Sequence, residues 1–573
     1  MSSSIETIRH SLAHIMAAAV QELYPGTKFG IGPSVENGFY YDFKLPRSIA
    51  PEDLYKIEKK TKELVGRGIA FKKRLMSKSS LLKLFKNQPY KLELIKEAKE
   101  KRLSVYQSDK FIDLCRGPHV KSGKEINPEA FKLTGIAGAY WRGNEKNTML
   151  TRIYGVAFKT EKELAAFLKI QKEAEKRNHR MLGKKLDLFC FSELVGPGFP
   201  LLTPKGTIVK EELQKRVEEI CRNYGFQKVF TPHLAKIELY KLSGHADKFN
   251  EELFRVSSPR KHNFVIRPVL CPHHAQIYAS KIRSYRNLPI RYMESERMYR
   301  AEKPGEVGGL NRVYAITVED GHSFCTIEQV KNEVKIIVNI IKDFYGSFGL
   351  WGNHWVSLSV RDRRHPEKYI GEKRDWDLCE KILKEVSDEM KLNAERKEGE
   401  AALYGPKLDF MFKDAFGKGL QIPTVQIDFA TPKRFNLTYI DKKGKEKNPV
   451  MVHRAILGSY ERFMALILEY YAGALPFWLA PEQVWVIPIG SRHEKYAGEV
   501  GEKLKNSGLR IQVKNENETV AKKIREGELQ KIPYLLVVGD KEIKQKSVSV
   551  RERNKGDVSM MKLVKFVEKI KNA

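Results

Sequence analysis

Two short stretches set histidine and cysteine at ligand spacing. "RHSLAHIMAA" places His10 and His14 four residues apart, and "FIDLCRGPHV" places Cys115 four before His119. On a helix, His10 and His14 would share one face. Three imidazoles and a thiol have the make-up of a zinc site. The metalloprotease version fails, because "HSLAH" lacks the glutamate of H-E-x-x-H. A second set is spread through the middle of the chain. "RPVLCPHHAQIY" gives Cys271 with His273 and His274 beside it, "EDGHSFC" gives His322, and "MVHRAILGS" gives His453. One cysteine and two histidines around zinc leave one or two positions open; from the residues alone, His273 and His274 are alternative ligands. "RMYRAEKPGEVGGLNRVYAITVEDGHSFC" reads strand, Gly-rich loop, strand. An antiparallel hairpin there could bring Arg300 and Arg312 to one face, where guanidiniums suit a phosphate chain. Arg462 follows Gly458 and Glu461 in "GSYERF", and a glycine there permits close approach of a flat ligand. Neither G-x-x-x-x-G-K-[ST] nor a strand followed by G-x-G-x-x-G occurs, so P-loop and Rossmann sites are unsupported.

The elements that must position these groups follow from periodicity and punctuation. "SIETIRHSLAHIMAAAVQELY" has helical spacing and ends before Pro25-Gly26, and "GFYYDFKL" reads as a strand. Residues 1–160 mix such signals. Residues 161–183 predict one charged amphipathic connector helix, and the Gly/Pro-rich "LVGPGFPLLTPKG" opens a new domain over 184–479. Within it, "VEEICRNYGFQKVFTPHL" reads helix, strand, then Pro232, and "VHRAILGSYERFMALILEYYAG" reads strand, then long helix. "LPFWLAPEQVWVIPIG" is a hinge into 480–573, where strands ("VWVIPIG", "RIQVKN", "YLLVVGD", "SVSVRER") alternate with helices as in a small α/β domain.

Composition limits the partners. The formal charge of +32 over 573 residues favours a polyanion, nucleic acid first. The basic residues are interleaved with acids, so no single tail explains the excess. No apolar run reaches the roughly 20 residues of a membrane span. The start, "MSSSIETIRHSLAH", lacks a secretory core, so a cytoplasmic location is expected. Six scattered cysteines suit a reducing compartment.

In order and spacing, the helix and proline-ended strand, the "YRAE…NRV" hairpin and "GSYERF" resemble motifs 1, 2 and 3 of class II aminoacyl-tRNA synthetases. Cys271, His322 and His453 match the pattern of the threonyl type, bacterial form. The resemblance implies an α+β multidomain chain: an editing domain over 1–160, the connector over 161–183, a class II antiparallel sheet flanked by helices over 184–479, and an anticodon-binding domain over 480–573. It implies a homodimer built through motif 1, with ATP, L-threonine and tRNA(Thr) as substrates, Mg2+, and one zinc per subunit on Cys271, His322 and His453. Zinc that needs a hydroxyl ligand would reject valine, which an apolar pocket separates from threonine by only ~100-fold. By resemblance, Arg300 meets the α-phosphate and the threonine carboxylate, Arg312 and Arg462 hold the outer phosphates, and Glu302 meets the adenine edge. Asp320 takes the threonine ammonium. Tyr404, Lys407, Gln421, Thr424 and Gln426 are pocket or ATP residues, and His245 lies near the tRNA 3′ end.

The N-terminal block resembles the editing domain of the same family through "HSLAH", "IGPSVENGFYYDF" and "DLCRGPH". Serine also offers a hydroxyl and an amine and is smaller than threonine, so a second, hydrolytic site is needed. The resemblance assigns it to His10, His14, Cys115 and His119, with Asp113 and Lys91 nearby, working with water and without bound metal. Asn517, Glu542 and Arg551 fall on positions expected to read anticodon bases. Three features depart from the pattern. Ile316-Thr317-Val318 stands where Phe-Thr-Gln is common, so adenine would rest on an aliphatic side chain. Arg-Ala-Glu replaces Arg-Asn-Glu. The small domain that often precedes the editing domain is not seen before "HSLAH".

Overall fold

The computed structural model describes residues 3–144, 146–260, 263–303, 305–414, 417 and 419–571. They form two compact units, one up to Glu173 and one from Ala174 on.

In the first unit, helix α1 (Ile5–Leu23) starts where the Ser4 side chain accepts the Thr7 N–H. This hydroxyl satisfies one of the amides a helix start leaves open. The helix ends ahead of Gly26, whose φ of 92° suits a residue without a Cβ. Its buried run from Leu12 to Val20 packs on two antiparallel sheets. One is ordered Lys28–Phe29, β1 (Gly38–Lys44), β6 (Met149–Ala157), β5 (Phe131–Tyr140); the other is β2 (Phe71–Ser77), β3 (Arg102–Ser108), β4 (Phe111–Leu114). Strand β4 carries Asp113 and ends just before Cys115, so α1 and β4 bring the two spaced pairs together.

The expected single connector over 161–183 is corrected to two helices, α2 (Glu161–Lys176) and α3 (His179–Lys185). The physical reason is a cap. Asn178 has left helical geometry, and its side chain accepts the Arg180 N–H. Helix α3 is then tied down by buried His179, which pairs with Glu469 at 2.7 Å.

The second unit is built on an eight-stranded sheet ordered Gln227–Lys228, β7 (Ile290–Tyr299), β8 (Ala315–Cys325), β12 (Val450–Ser459), β11 (Gly419–Asp428), β10 (Lys407–Lys413), β9 (His354–Val360), Glu395–Glu398. The inner strands are antiparallel, as expected; only the two edge pairs are parallel. Alternation sorts the faces. Leu408, Phe410, Val425, Ile427 and Val452 are buried in the core that α4 (Pro204–Asn223) and α6 (Val330–Gly346) share. Their sequence neighbours Lys407, Asp409, Thr424, Gln426 and His453 point to the other face. The same unit ends in a five-stranded sheet, β14 (Ile511–Val513), β13 (Val484–Pro488), β15 (Tyr534–Val538), β16 (Ser547–Glu552), β17 (Gly556–Lys562). The first three strands are parallel and the last two antiparallel; β17 is a strand the sequence reading did not foresee. No helix among the described residues is long and apolar enough to cross a membrane.

Candidate active sites

Register assembles the first site. His322 pairs with His453, His453 with Gln426, and Gln426 with Lys407, making one row across four strands. Two residues along, Asp320, Ala455, Thr424 and Asp409 make the next row on the same face. Arg300 directly follows β7, and the loop beyond it returns Arg312 toward β8. Helix α7 (Tyr460–Tyr470) begins at Ser459, whose side chain accepts the Arg462 N–H. Every residue expected at this site, Lys407 excepted, lines one cavity of about 280 Å³.

Cys271 opens helix α5 (Cys271–Ala279). One ligand atom from each of Cys271, His322 and His453 lies within 4.8 Å of the other two, and all three residues are buried. Buried His322 Nε2 has no hydrogen-bond partner, and His453 turns its Nε2 to Asp428 at 2.9 Å, leaving Nδ1. Burial, reinforced by His274 and His453, holds the His322 imidazole far below its ordinary range and so neutral. Burial also pushes the Cys271 thiol well up; only a cation would make it a thiolate. Two imidazoles and a thiol, one ring nitrogen among them buried without a partner, fit a zinc ion. Asp320 faces the same cavity, and desolvation there pushes its carboxyl up to about 6.

The polar wall is held by groups the sequence reading missed. Buried Asp409 accepts from Gln421 at 2.7 Å, Thr424 at 2.8 Å and Ser359 at 2.8 Å, and it pairs with Lys407 at 2.9 Å. Tyr404 stacks on His453 with centroids 4.7 Å apart and donates to Gln426 at 2.7 Å. His274, seen in the sequence but set aside, bonds His322 at 2.7 Å and Glu294 at 3.0 Å. The signal for Asp409, Asp428 and Glu294 was an acid on the site face of an apolar strand ("KLDF", "QIDF", "YMES").

Around the arginines, Arg312 is engaged by Glu302 at 2.7 Å and Glu306 at 2.9 Å. Arg462 Nε donates to the Asn311 carbonyl. Burial, then nearby Arg312, lowers its guanidinium's proton affinity, which a phosphate would restore. Glu461 does not reach the cavity. It is buried and accepts both the Thr317 amide and hydroxyl, tying α7 to β8. Gly458 has φ of 67°, and an added Cβ would sit 3.2 Å from the Ile422 carbonyl. Ile316 and Val318 line the cavity. Buried His245 is hydrogen-bonded to Ser243 at 2.9 Å, and burial followed by Arg300 lowers its imidazole to about 4.

The second cluster lies in the first unit. Cys115 Sγ is 3.3 Å from His10 Nε2 and 3.3 Å from His119 Nε2. Ser11 Oγ donates to the Thr7 carbonyl and accepts the Val120 amide. It therefore receives the Nδ1 proton of His119, 3.2 Å away, leaving Nε2 a lone pair toward Cys115. Behind them, Lys91 pairs with Asp113, and Tyr41 donates to Asp113 at 2.6 Å; His14 is 3.5 Å from the same carboxylate. Tyr41 was missed, hidden inside a strand signal. Burial pushes the Cys115 thiol up to about 11 and lowers His10, His14 and His119. The cluster is thus a thiol among neutral imidazoles. Its four donor atoms also lie within 4.8 Å of one another.

In the last sheet, Asn517 is exposed beyond the end of β14. Glu542 is buried and fully engaged: it accepts the Gly539 amide and the Ser549 hydroxyl, so it caps its own helix. Arg551, two residues beyond Ser549 on β16, is held by Glu528 at 2.8 Å and Asp557 at 2.8 Å.

Comparison with known proteins identifies three domain types along the chain. Residues 254–471 match the class II tRNA synthetase core domain of the G, H, P, S and T types, residues 483–573 the anticodon-binding domain, and residues 103–154 the second additional domain of threonyl and alanyl tRNA synthetases. Threonine–tRNA ligase of Rubrobacter xylanophilus is 44% identical over 568 residues, covering 98% of this chain and 88% of that one. The enzyme of the same name from Borreliella afzelii is 42% identical over 556 residues, 97% and 95% of the two chains. Among solved structures, the RNA binding domain of threonyl-tRNA synthetase from Cryptosporidium parvum superposes with a TM-score of 0.65 at 34% identity, covering 69% of this chain and 98% of that one. A putative threonyl-tRNA synthetase from Aeropyrum pernix gives 0.62 at 28% identity, covering 69% and 94%. With all three domain types present and close relatives along nearly its whole length, the chain belongs to the threonine–tRNA ligases.

Proposed function

We propose that the cavity over the eight-stranded sheet activates L-threonine with ATP and loads it on tRNA(Thr), and that the His10–Cys115 cluster hydrolyses seryl-tRNA(Thr). The observation that carries the first half is the meeting of Cys271, His322 and His453 with Arg300, Arg312 and Arg462 in one cavity. Zn2+ held by Cys271 Sγ, His322 Nε2 and His453 Nδ1 would supply a Lewis acid with open positions for the amino and hydroxyl groups of threonine. Asp320 receives the ammonium. Arg300 steadies the threonine carboxylate and the α-phosphate, and the carboxylate attacks that phosphorus as pyrophosphate leaves. Arg312 and Arg462 exchange their present partners for the outer phosphates of ATP, which arrives with Mg2+, and so offset charge without reorganisation of the sheet. Glu302 meets the adenine edge, with Ile316 and Val318 as an aliphatic floor. The tRNA terminal hydroxyl then attacks the carbonyl carbon of the threonyl-adenylate near His245, the anhydride bond breaks and AMP leaves, and no protein nucleophile takes part.

At the second site, neutral imidazoles take a proton from water, and Lys91, paired with Asp113, lies near for the ester's developing charge. Neither the raised thiol of Cys115 nor any covalent intermediate is needed. Asn517 and Arg551 are the groups we assign to anticodon bases, Arg551 after release from Glu528 and Asp557. Phe230 and Leu234, 75% and 43% exposed in the motif 1 segment, support a homodimer. A cytoplasmic location completes the reading.

ATP–pyrophosphate exchange with each amino acid tests the synthetic half. Exchange is expected with threonine and, more weakly, serine, and at least 100-fold less with valine. Exchange with proline but not threonine would overturn the reading.

A further inference from the structure

We propose that His274 and Glu294 act as a positioning relay. They fix which nitrogen of His322 carries the proton and so set how tightly the site holds a divalent metal. The proposal rests on the zinc reading of Cys271, His322 and His453.

The argument is one of donors and acceptors. Glu294 is 1% exposed, and a carboxylate only accepts. Its Oε1 takes the Thr231 amide at 2.9 Å and Arg267 Nη1 at 3.1 Å; its Oε2 takes the Thr231 hydroxyl at 2.8 Å and faces His274 Nε2 at 3.0 Å. His274 Nε2 must therefore be an N–H. Buried His322 Nε2 has no acceptor for a proton, so that ring's N–H belongs on Nδ1 and His274 Nδ1 is an acceptor. Its partner at 2.7 Å is His322 Nδ1, which must then donate. That leaves His322 Nε2 with its lone pair, and Nε2 is the buried atom that has no partner. The other tautomer would bury an N–H without an acceptor and remove a ligand. His274 is 0% exposed, and its ring stands at 88° to that of His322, so neither ring can turn without breaking this chain.

His453 reaches its carboxylate directly, through Asp428 at 2.9 Å. For His322 the carboxylate sits one imidazole away. Metal-bound histidines commonly orient through such outer partners, whose loss costs about 10–100-fold in affinity. His273 is next to His274 on the same helix, yet neither of its ring nitrogens has a partner. It makes an internal control.

The test uses the full-length protein and Zn2+ alone, with affinity read by competition against a chromogenic chelator. His274→Leu should raise Kd for zinc by about 10–100-fold, and His273→Ala should leave it within 2-fold. His274→Asn keeps an acceptor near the Nδ1 position and should recover most of the affinity. His274→Gln, whose amide reaches toward Glu294 instead, should not. A His274→Leu protein with wild-type affinity, or an Asn variant as weak as Gln, would overturn the relay. Should the Leu variant fail to fold, the Asn and Gln pair still decides. Cys271→Ala run in parallel separates the two readings: if it binds zinc like wild type, the metal site itself is misassigned, whatever His274 does.

Discussion

Asp409 shows how much of this site depends on a side chain that never faces substrate. It is 3% exposed, yet it bonds three side chains and pairs with Lys407. Gln421 and Thr424 reach the cavity wall only because one carboxylate oxygen accepts from both. Removing it would leave the Lys407 ammonium, 14% exposed, without its counter-charge. Breaking a buried pair from one side costs about 3–5 kcal/mol; the partial exposure of Lys407 puts the expectation at the lower end. Asp409→Ala should therefore lower stability by about 3 kcal/mol in denaturant unfolding. In exchange assays it should raise KM for threonine at least 10-fold while KM for ATP moves little, since Arg300, Arg312 and Arg462 touch none of its partners. Equal rises in both KM values would show that the damage is general.

The strands and helices explain which parts of this were legible in the sequence. The motif arginines, the cysteine and the histidines stand in local patterns, and the hairpin and the strand-to-helix step read directly from periodicity. The carboxylates behind them do not. Asp409 meets Gln421 across a hairpin, where the register of the folded sheet creates the pair; Glu294 meets His274 from strand to helix, and Asp113 meets Tyr41 between two sheets, 72 residues away, so packing of separate elements creates those. The connector failed for a local reason, the Asn178 cap, for which the sequence did hold a signal. Gly458 was read as room for a flat ligand. The structure adds a backbone reason, since φ of 67° at the end of β12 turns the chain into α7 and aims Arg462. An L-residue there costs about 1–2 kcal/mol, and the added Cβ meets the Ile422 carbonyl at 3.2 Å. Gly458→Ala should lower stability by about that amount and raise KM for ATP roughly tenfold, the factor that 1.4 kcal/mol of displaced Arg462 contact would give. An unchanged KM for ATP in a destabilised protein would mean that α7 re-aims Arg462 by itself.

On the function proposed above, the two compact units divide a problem that one pocket cannot solve. A metal that demands a hydroxyl separates threonine from valine but accepts serine, so discrimination against the smaller amino acid falls to a second pocket. Each unit has its own core: α1 and its sheets in the first, the eight-stranded sheet and its helices in the second. No residue of the His10–Cys115 cluster belongs to the cavity of Arg300. The shared element is the tRNA, drawn by a chain of net charge +32 largely through its phosphates. Damage to the hydrolytic cluster should therefore leave activation intact and change only what stays on the tRNA. His14→Ala and Cys115→Ala proteins should keep threonine-dependent pyrophosphate exchange within 2-fold of wild type. Given serine in place of threonine, they should accumulate seryl-tRNA(Thr) where wild type holds it near background. Both variants empty positions beside the buried Asp113 network, so thermal unfolding should register a loss in the first unit's transition. Seryl-tRNA that failed to accumulate would remove the cluster's hydrolytic role. A parallel fall in threonine-dependent exchange would instead show that the two units are coupled in catalysis.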